Sequence, residues 1–236
     1  MNNTPSAIIL AGGLGTRLRA VVPHLPKPMA PINGRPFLEY QLDYWITQGV
    51  RHFILSVGYK CDIIIKHFGE QYREAQIEYA IEETPQGTGG ALLLALKVLQ
   101  PEQPFLVLNG DTLFDVQLQA LQHYHAETRS EWTIAMFRSE SSGRYGMIEC
   151  AVDGQVKHFS SNKAKPGDLA NGGVYFISPA ALLLLKRCTA TVISLEENLL
   201  PNFLVQGGRC YGMPCYENFI DYGLPEDYIR ITQMLG

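Results

Sequence analysis

The sequence lacks a basic surplus, a cysteine motif and a long apolar run. Lys and Arg total 19 against 23 Asp and Glu, for a formal net charge of −4 over 236 residues. Proteins that grip polymeric nucleic acid carry excess positive charge, so that class of partner is excluded, and the cations present must act locally on a small anion. No apolar stretch approaches the ~20 residues that a bilayer-spanning helix needs, so no membrane segment is expected. Met1 to Ser6 are polar and lack the charged-then-apolar layout of a secretory leader. Cys61, Cys150, Cys188, Cys210 and Cys215 are odd in number, and no two fall in a C-x-x-C spacing. They read as reduced, mostly buried thiols of a cytoplasmic protein. His123 and His125 sit in a polar stretch and suit a helix surface better than a metal site. No repeat, low-complexity tract or linker divides the chain.

What is present is alternation. Hydrophobic residues make up 46% of the chain, enough for a sizeable core. Ala7–Leu10 is a short apolar run ending in glycines, the pattern of a buried strand and a loop. Phe37, Leu38, Leu42, Trp45 and Ile46 fall at helical spacing before Gly49. Strands are predicted over 53–57, 77–81 and 105–108, with a Leu- and Ala-rich helix over 89–99. The second half is richer in strands: 132–137, 147–152, 156–159, 173–177 and 210–216. Helices are expected over 179–187, from Ser194, whose Glu197 completes an S-x-x-E capping box, and over 225–235. The fold expected is α/β, a Rossmann-like mixed and mostly parallel sheet flanked by helices. One domain should span 1–236, with its N-terminal half ending at about residue 115 and its C-terminal half beginning at about 116.

Three features carry chemistry. Leu10-Ala11-Gly12-Gly13-Leu14-Gly15-Thr16-Arg17-Leu18 follows the first strand. Its glycines let backbone N–H groups approach a polyphosphate, and Arg17 adds a planar fork for phosphate oxygens. It is neither G-x-G-x-x-G nor a P-loop, and by itself it also suits an ordinary strand-to-helix turn. Lys27 stands between Pro26 and Pro28, on a stiffened backbone that presents its ammonium cheaply. In isolation it would be a surface lysine. Asp111, in Asn109-Gly110-Asp111-Thr112, follows a strand, where carboxylates either face the ligand crevice of an open α/β sheet or cap a helix.

Together, G-G-x-G-T-R-L and P-K-P resemble the signature of the sugar-nucleotide pyrophosphorylases, the sugar-1-phosphate nucleotidyltransferases. Further blocks follow in family order: Glu82 to Leu92, Leu108 to Asp111, Arg144-Tyr145-Gly146, Asn171 to Tyr175, and Phe219 to Gly223. The resemblance implies a GT-A-like nucleotidyltransferase fold and transfer of a nucleoside monophosphate from an NTP to a sugar 1-phosphate. It implies nucleotide contacts from Leu10, Ala11, Gly12, Gly13, Gly15, Thr16, Arg17, Glu82, Pro85, Gly87, Thr88 and Gly110. Arg17, Lys27 and Asp111 would be catalytic, with Mg²⁺ on Asp111 and Asp221. Tyr145, Gly146, Asn171, Gly172 and Lys163 would hold the sugar phosphate. The family's Glu-Lys-Pro is replaced here by Asn162-Lys163-Ala164-Lys165-Pro166, so Lys165 rivals Lys163. Glu82 stands where uridylyl and thymidylyl relatives often carry glutamine, and a carboxylate matches the N1–H and 2-amino donors of guanine, which leans the NTP toward GTP. Alternatively, Glu82 is a solvated strand-end residue.

In length and in several blocks, the chain is most similar to the D-glycero-α-D-manno-heptose 1-phosphate guanylyltransferases. N-acetylmuramate 1-phosphate uridylyltransferases, mannose-1-phosphate guanylyltransferases and a non-catalytic nucleotide-sugar sensor are the alternatives. Assembly as a homodimer is left open.

Overall fold

The computed structural model describes residues 4–15, 18, 22–140, 143–185, 192–223 and 225–234. β1 (Ala7–Leu10) leads through the glycine loop to a single 3-10 turn at Lys27–Met29 and a hairpin of β2 (Pro31–Ile32) and β3 (Arg35–Pro36). Then come α1 (Phe37–Thr47), β4 (His52–Val57), α2 (Cys61–Phe68), β5 (Gln71–Tyr72), β6 (Ala75–Ile81), α3 (Gly87–Leu99) and β7 (Phe105–Asn109). The rest comprises β8 (Thr112–Phe114), α4 (Leu118–Glu127), β9 (Trp132–Arg138), β10 (Gly146–Cys150), β11 (Val156–Lys163) and β12 (Leu169–Ile177). α5 (Leu182–Leu185), α6 (Leu200–Val205), β13 (Cys210–Pro214), β14 (Phe219–Asp221) and α7 (Pro225–Met234) complete it.

A ten-stranded mixed sheet carries strands from both halves. Its N-terminal core, β7-β1-β4-β6, is parallel throughout. The later strands join through β12, which lies antiparallel to both β7 and β9. Side-chain alternation along the strands splits the core into two layers. Ile9, Phe53, Leu55 and Leu108 pack on one face against Leu42 and Trp45 of α1, Ile64 and Phe68 of α2 and Leu121 of α4. Ile8, Ile54 and Val107 pack on the other against Leu92 and Ala95 of α3 and Phe203 of α6. β1, β4 and β7 are therefore buried on both faces and read as near-continuous apolar runs, whereas β6, nearer the sheet edge, alternates, with Gln76 exposed.

The expected elements form, with differences that have local causes. The helix expected over 179–187 is a 3-10 turn at Pro179–Ala181 followed by the short α5; residues 186–187 lie outside the described residues. At Ser194 the cap forms, with Glu197 N donating to Ser194 Oγ at 3.1 Å, but Ser194 N donates to Asn198 Oδ1 rather than to the Glu197 carboxylate. That turn is π-helical over Leu195–Leu199 before α6 begins. α2 starts from Lys60 in a left-handed conformation with no side-chain cap, so no start signal marks it in the sequence. No helix among the described residues is long and apolar enough to cross a membrane.

His123 is exposed and reaches Glu127, as a helix-surface residue should. His125 is not on the surface. It is buried, with ring nitrogens 2.8 Å from Thr133 Oγ1 and 2.8 Å from Ser178 Oγ. Burial lowers its pKa from 6.5 to about 4. The neutral ring therefore stabilises the fold fully above pH 6.5, and that contribution is lost as pH falls toward 4, because the unfolded chain binds the proton first. Urea midpoints should drop between pH 6.5 and 4, and His125→Gln, which keeps hydrogen bonding without titrating, should flatten that slope. An unchanged slope in the variant would remove His125 from the acid response.

Candidate active site

From β1 the chain steps outward to β4 and β6, then returns to place β7 on the opposite side of β1. Crevices in open α/β sheets form beyond the strand ends at such a reversal. Here Gly110 closes its floor. Gly110 N donates to Leu10 O at 3.0 Å, and a Cβ on Gly110 would lie 2.5 Å from that oxygen and 2.9 Å from Ala11 Cα. Only glycine fits.

A cavity of about 310 Å³ opens there. Leu10, Ala11, Gly12 and Gly13 line one wall, Glu82, Pro85, Gly87 and Thr88 another, with Gly110 at the floor and Lys27 and Asp111 at the rim. Gly15 lies outside the lining. Its φ is +57°, and a Cβ there would come 2.9 Å from Lys27 Cβ, so it lets the loop fold over the lysine. Thr16 and Arg17 lie outside the described residues.

Lys27 is held at both ends. Its carbonyl accepts from Tyr222 OH at 2.8 Å, and its Nζ lies 2.5 Å from Asp111 Oδ2 and 4.8 Å from the Tyr222 ring centroid. The lysine is 13% exposed and the aspartate 42%. Asp111 itself rides on a braced loop. Gln41 of α1, 2% exposed, donates from Nε2 to Asn109 O and Thr112 O, both at 2.6 Å. The sequence signal was available: Gln41 is a polar residue on the helix face that carries Leu38, Leu42 and Trp45.

Asp221, distant in sequence, pairs with Thr112 across the β8–β14 ladder, and Tyr222 N donates to Asp111 O at 3.3 Å. The β14 backbone is thus brought against the turn that carries Asp111, with Asp221 one residue along. Asp221 lines a second cavity of about 410 Å³ together with Tyr145. Its Oδ2 accepts from Arg144 Nη2 at 3.0 Å and its Oδ1 from Gly223 N at 2.7 Å. Arg144 also pairs with Asp227 of α7, with Nη1 to Oδ1 at 2.7 Å and a second, short contact through Nη2. The hydrogen bond to Asp227 raises the guanidinium pKa further. Sequence reading quoted Arg144 within its block but gave it no role.

Glu82 stands apart from its exposed neighbour Glu83. Its Oε2 lies 3.2 Å from where a Gly12 Cβ would be, while Oε1 is buried without a hydrogen-bond partner. Burial raises its pKa above the ordinary 4.5, opposed by a backbone hydrogen bond at Gln86. An acceptor in that state is suited to a ligand bearing N–H donors.

On the sugar-side block, Gly146 of β10 pairs with Lys163, the last residue of β11, while Lys165 lies beyond the strand and is exposed. Asn171 and Gly172 line neither cavity. Asn171 Oδ1 accepts from Gly173 N at 3.0 Å, and its Nδ2 donates to Tyr175 OH at 2.6 Å. Gly172 and Gly173 form a bulge in β12 against β9. A Cβ on Gly172 would come 2.4 Å from Phe114, and one on Gly173 2.7 Å from Asn109 Nδ2.

Arg144→Ala should cost about 2 kcal/mol in urea unfolding, less than the ~3–5 kcal/mol of a fully buried pair because the guanidinium is 25% exposed. Asp227→Asn in the same background should recover part of that loss. Strictly additive costs in the two variants would show that the pair does not interact.

Comparison with known proteins matches this geometry. The profile of the family described as nucleotidyl transferase matches residues 6–235. The D-glycero-alpha-D-manno-heptose 1-phosphate guanylyltransferase of Aneurinibacillus thermoaerophilus is 39% identical over 229 residues, covering 97% of each chain. The protein of the same name from Campylobacter jejuni is 38% identical, covering 94% of this chain and 96% of that one. HddC of Yersinia pseudotuberculosis, solved in complex with GMP-PN, superposes with a TM-score of 0.85 at 31% identity, over 98% of this chain and all of that one. The family profile spans nearly the whole chain and the relatives match it over nearly their full length, so the chain belongs to the nucleotidyl transferase family.

Proposed function

We propose that this enzyme transfers GMP from GTP to D-glycero-α-D-manno-heptose 1-phosphate, giving GDP-heptose and pyrophosphate. The observation that carries the guanine assignment is Glu82, whose buried Oε1 has no partner beside the glycine wall. A carboxylate there can accept from both N1–H and the 2-amino group of guanine, whereas uracil offers one donor between two carbonyls and adenine an acceptor at N1. The heptose rests on the two near-full-length relatives that carry that name.

In this reading the glycine wall and Arg17 hold the polyphosphate, and Lys27 serves the α-phosphate. Lys163 receives the sugar phosphate, with Tyr145, Gly146, Asn171 and Gly172 beside the sugar. Between the two lysines, Lys163 is favoured because it ends β11 opposite Gly146. A sugar phosphate oxygen forms a bond to the α-phosphorus as the bond to the β-phosphate oxygen breaks, and pyrophosphate leaves. The nucleophile is already anionic, so no side chain need remove a proton; the residues position and neutralise.

Asp111 and Asp221 would hold a Mg²⁺-type ion: both are hard oxygen donors, Asp111 is 42% exposed at the rim of the first cavity, and Asp221 stands opposite Thr112, the next residue along. Among the described residues no group of three or more His, Cys, Asp or Glu could hold a metal. Two carboxylates alone suit an ion whose remaining ligands are phosphate oxygens and water. When bound, it supplies neutralisation of phosphate charge. The same reading places the enzyme in the cytoplasm, with Cys61, Cys150, Cys210 and Cys215 as free thiols.

Pyrophosphate release across an NTP series should show GTP preferred over UTP and ATP by about a hundredfold or more, on the order of two charge-assisted bonds. Glu82→Gln should erode the preference by losing GTP activity. Because Glu82 must be ionised to accept two donors, kcat/KM for GTP should fall as pH drops, with an inflection above the ordinary 4.5 that vanishes in the variant. Equal use of UTP by the wild type would overturn the guanine assignment.

Lys27→Ala should lower kcat more than it raises the KM for GTP, since the contact strengthens in the transition state. A pure KM effect would move Lys27 off the α-phosphate.

A further inference from the structure

The segment carrying Ile193 to Glu196 comes from the C-terminal half yet lies on the loop that opens α3. Ile193 N donates to Gln86 O at 2.8 Å, Gly89 N to Ile193 O at 2.8 Å, and Leu195 N to Thr88 Oγ1 at 2.8 Å. A Cβ on Gly87 would sit 2.5 Å from Ile193 O. On this side the space beside Gly87 and Gly89 is thus taken by this segment's backbone and side chains. Its next residue, Glu196, is bonded in two directions. Oε2 accepts from Thr88 Oγ1 at 3.2 Å and from Ser194 Oγ at 3.4 Å, while Oε1 accepts from Tyr175 OH at 3.1 Å. The Tyr175 oxygen in turn accepts from Asn171 Nδ2 at 2.6 Å.

A phenol has one proton. In fully buried Tyr175 that proton is committed to Glu196, so its oxygen meets Asn171 as an acceptor. Asn171 must then turn Nδ2 toward Tyr175 and Oδ1 toward Gly173 N. The flipped amide would set oxygen against oxygen and N–H against N–H. Gly173 N holds the amide in this orientation from one end, and Glu196 secures the other, because without that acceptor the Tyr175 proton is free to turn toward Asn171 and oppose it.

We propose that Glu196 is a positioning residue that couples the two substrate subsites, fixing the Asn171 amide on the sugar side through Tyr175 while holding Thr88 on the nucleotide side. This rests on the functional reading above, in which Thr88 borders the nucleotide and Asn171 the sugar. A nucleotide that orders Thr88 leaves the carboxylate oriented for Tyr175 and so presents Asn171 in its sugar-binding orientation. The coupling is reciprocal by thermodynamic necessity.

The test is calorimetric titration of D-glycero-α-D-manno-heptose 1-phosphate with and without saturating guanosine 5′-[α,β-methylene]triphosphate. In the wild type the analogue should tighten sugar phosphate binding roughly fivefold or more, the lower end of measured couplings. Tyr175→Phe, which keeps the ring and removes the relay oxygen, should bring that ratio close to unity. Glu196→Ala should do the same, and Glu196→Gln, which keeps an acceptor for Tyr175, should restore part of it. Each ratio is internal to one variant, so a loss of stability alone does not move it. Turnover by the wild type with a ratio near unity, or a ratio unchanged in Tyr175→Phe, overturns the coupling. A wild type that releases no pyrophosphate from GTP and this sugar phosphate overturns the functional reading, and the coupling with it.

Discussion

The crevice depends on how closely two strand ends can approach. β1 and β7 run parallel and side by side, and the chain leaves both at the same edge. Bringing Asp111 onto that edge requires the backbone after β7 to lie on the carbonyl of Leu10, with no room for a side chain at residue 110. From that contact follow the reach of Lys27 to Asp111, the pairing of Gln41 with the carbonyls on either side, and the docking of β14 beside β8. A bulkier residue at 110 would disturb all of them together, because they share one loop.

Charge at the crevice is arranged in pairs. Each aspartate at the strand ends meets one cation, Lys27 for Asp111 and Arg144 for Asp221, and Arg144 is itself shared with Asp227. Adjacent carboxylates repel, and in a partly desolvated cleft they persist when positive charge is supplied locally. The charge balance at the crevice is thus set by these pairs rather than by the chain's net charge of −4. Glu82 is the contrasting case, an acid tucked into the glycine wall with one oxygen left unpaired.

Much of this was legible in the sequence, for physical reasons. Strands buried on both faces read as near-continuous apolar runs, so β1, β4 and β7 declared themselves, β6 showed as an alternating stretch, and short-range signals such as Pro26-Lys27-Pro28 marked the loop that bears the lysine. What the sequence withheld was mainly long-range. Asp111 and Asp221 become neighbours through a short ladder that no periodicity announces. Nothing in the sequence singles out Glu196, whose bonds to Thr88 and Tyr175 exist once the C-terminal segment folds onto α3. His125 was placed on the helix surface because its neighbours are polar; the helix turns it inward against Thr133 and Ser178 instead.

The place of β12 has a consequence for how the polypeptide matures. β7 is bordered by β1 on one side and by β12 on the other, yet β12 lies dozens of residues later in the chain. As the protein emerges from the ribosome, the parallel core is complete while the outer rim of β7 still carries unpaired amides and carbonyls flanked by Phe105, Val107 and Leu108. Open apolar strand rims are templates for wrong partners. The nascent chain must therefore pass through an interval of stickiness that ends when Val174 to Ile177 arrive, making closure of this rim the step at which chaperone protection, growth temperature and translation speed bear on yield.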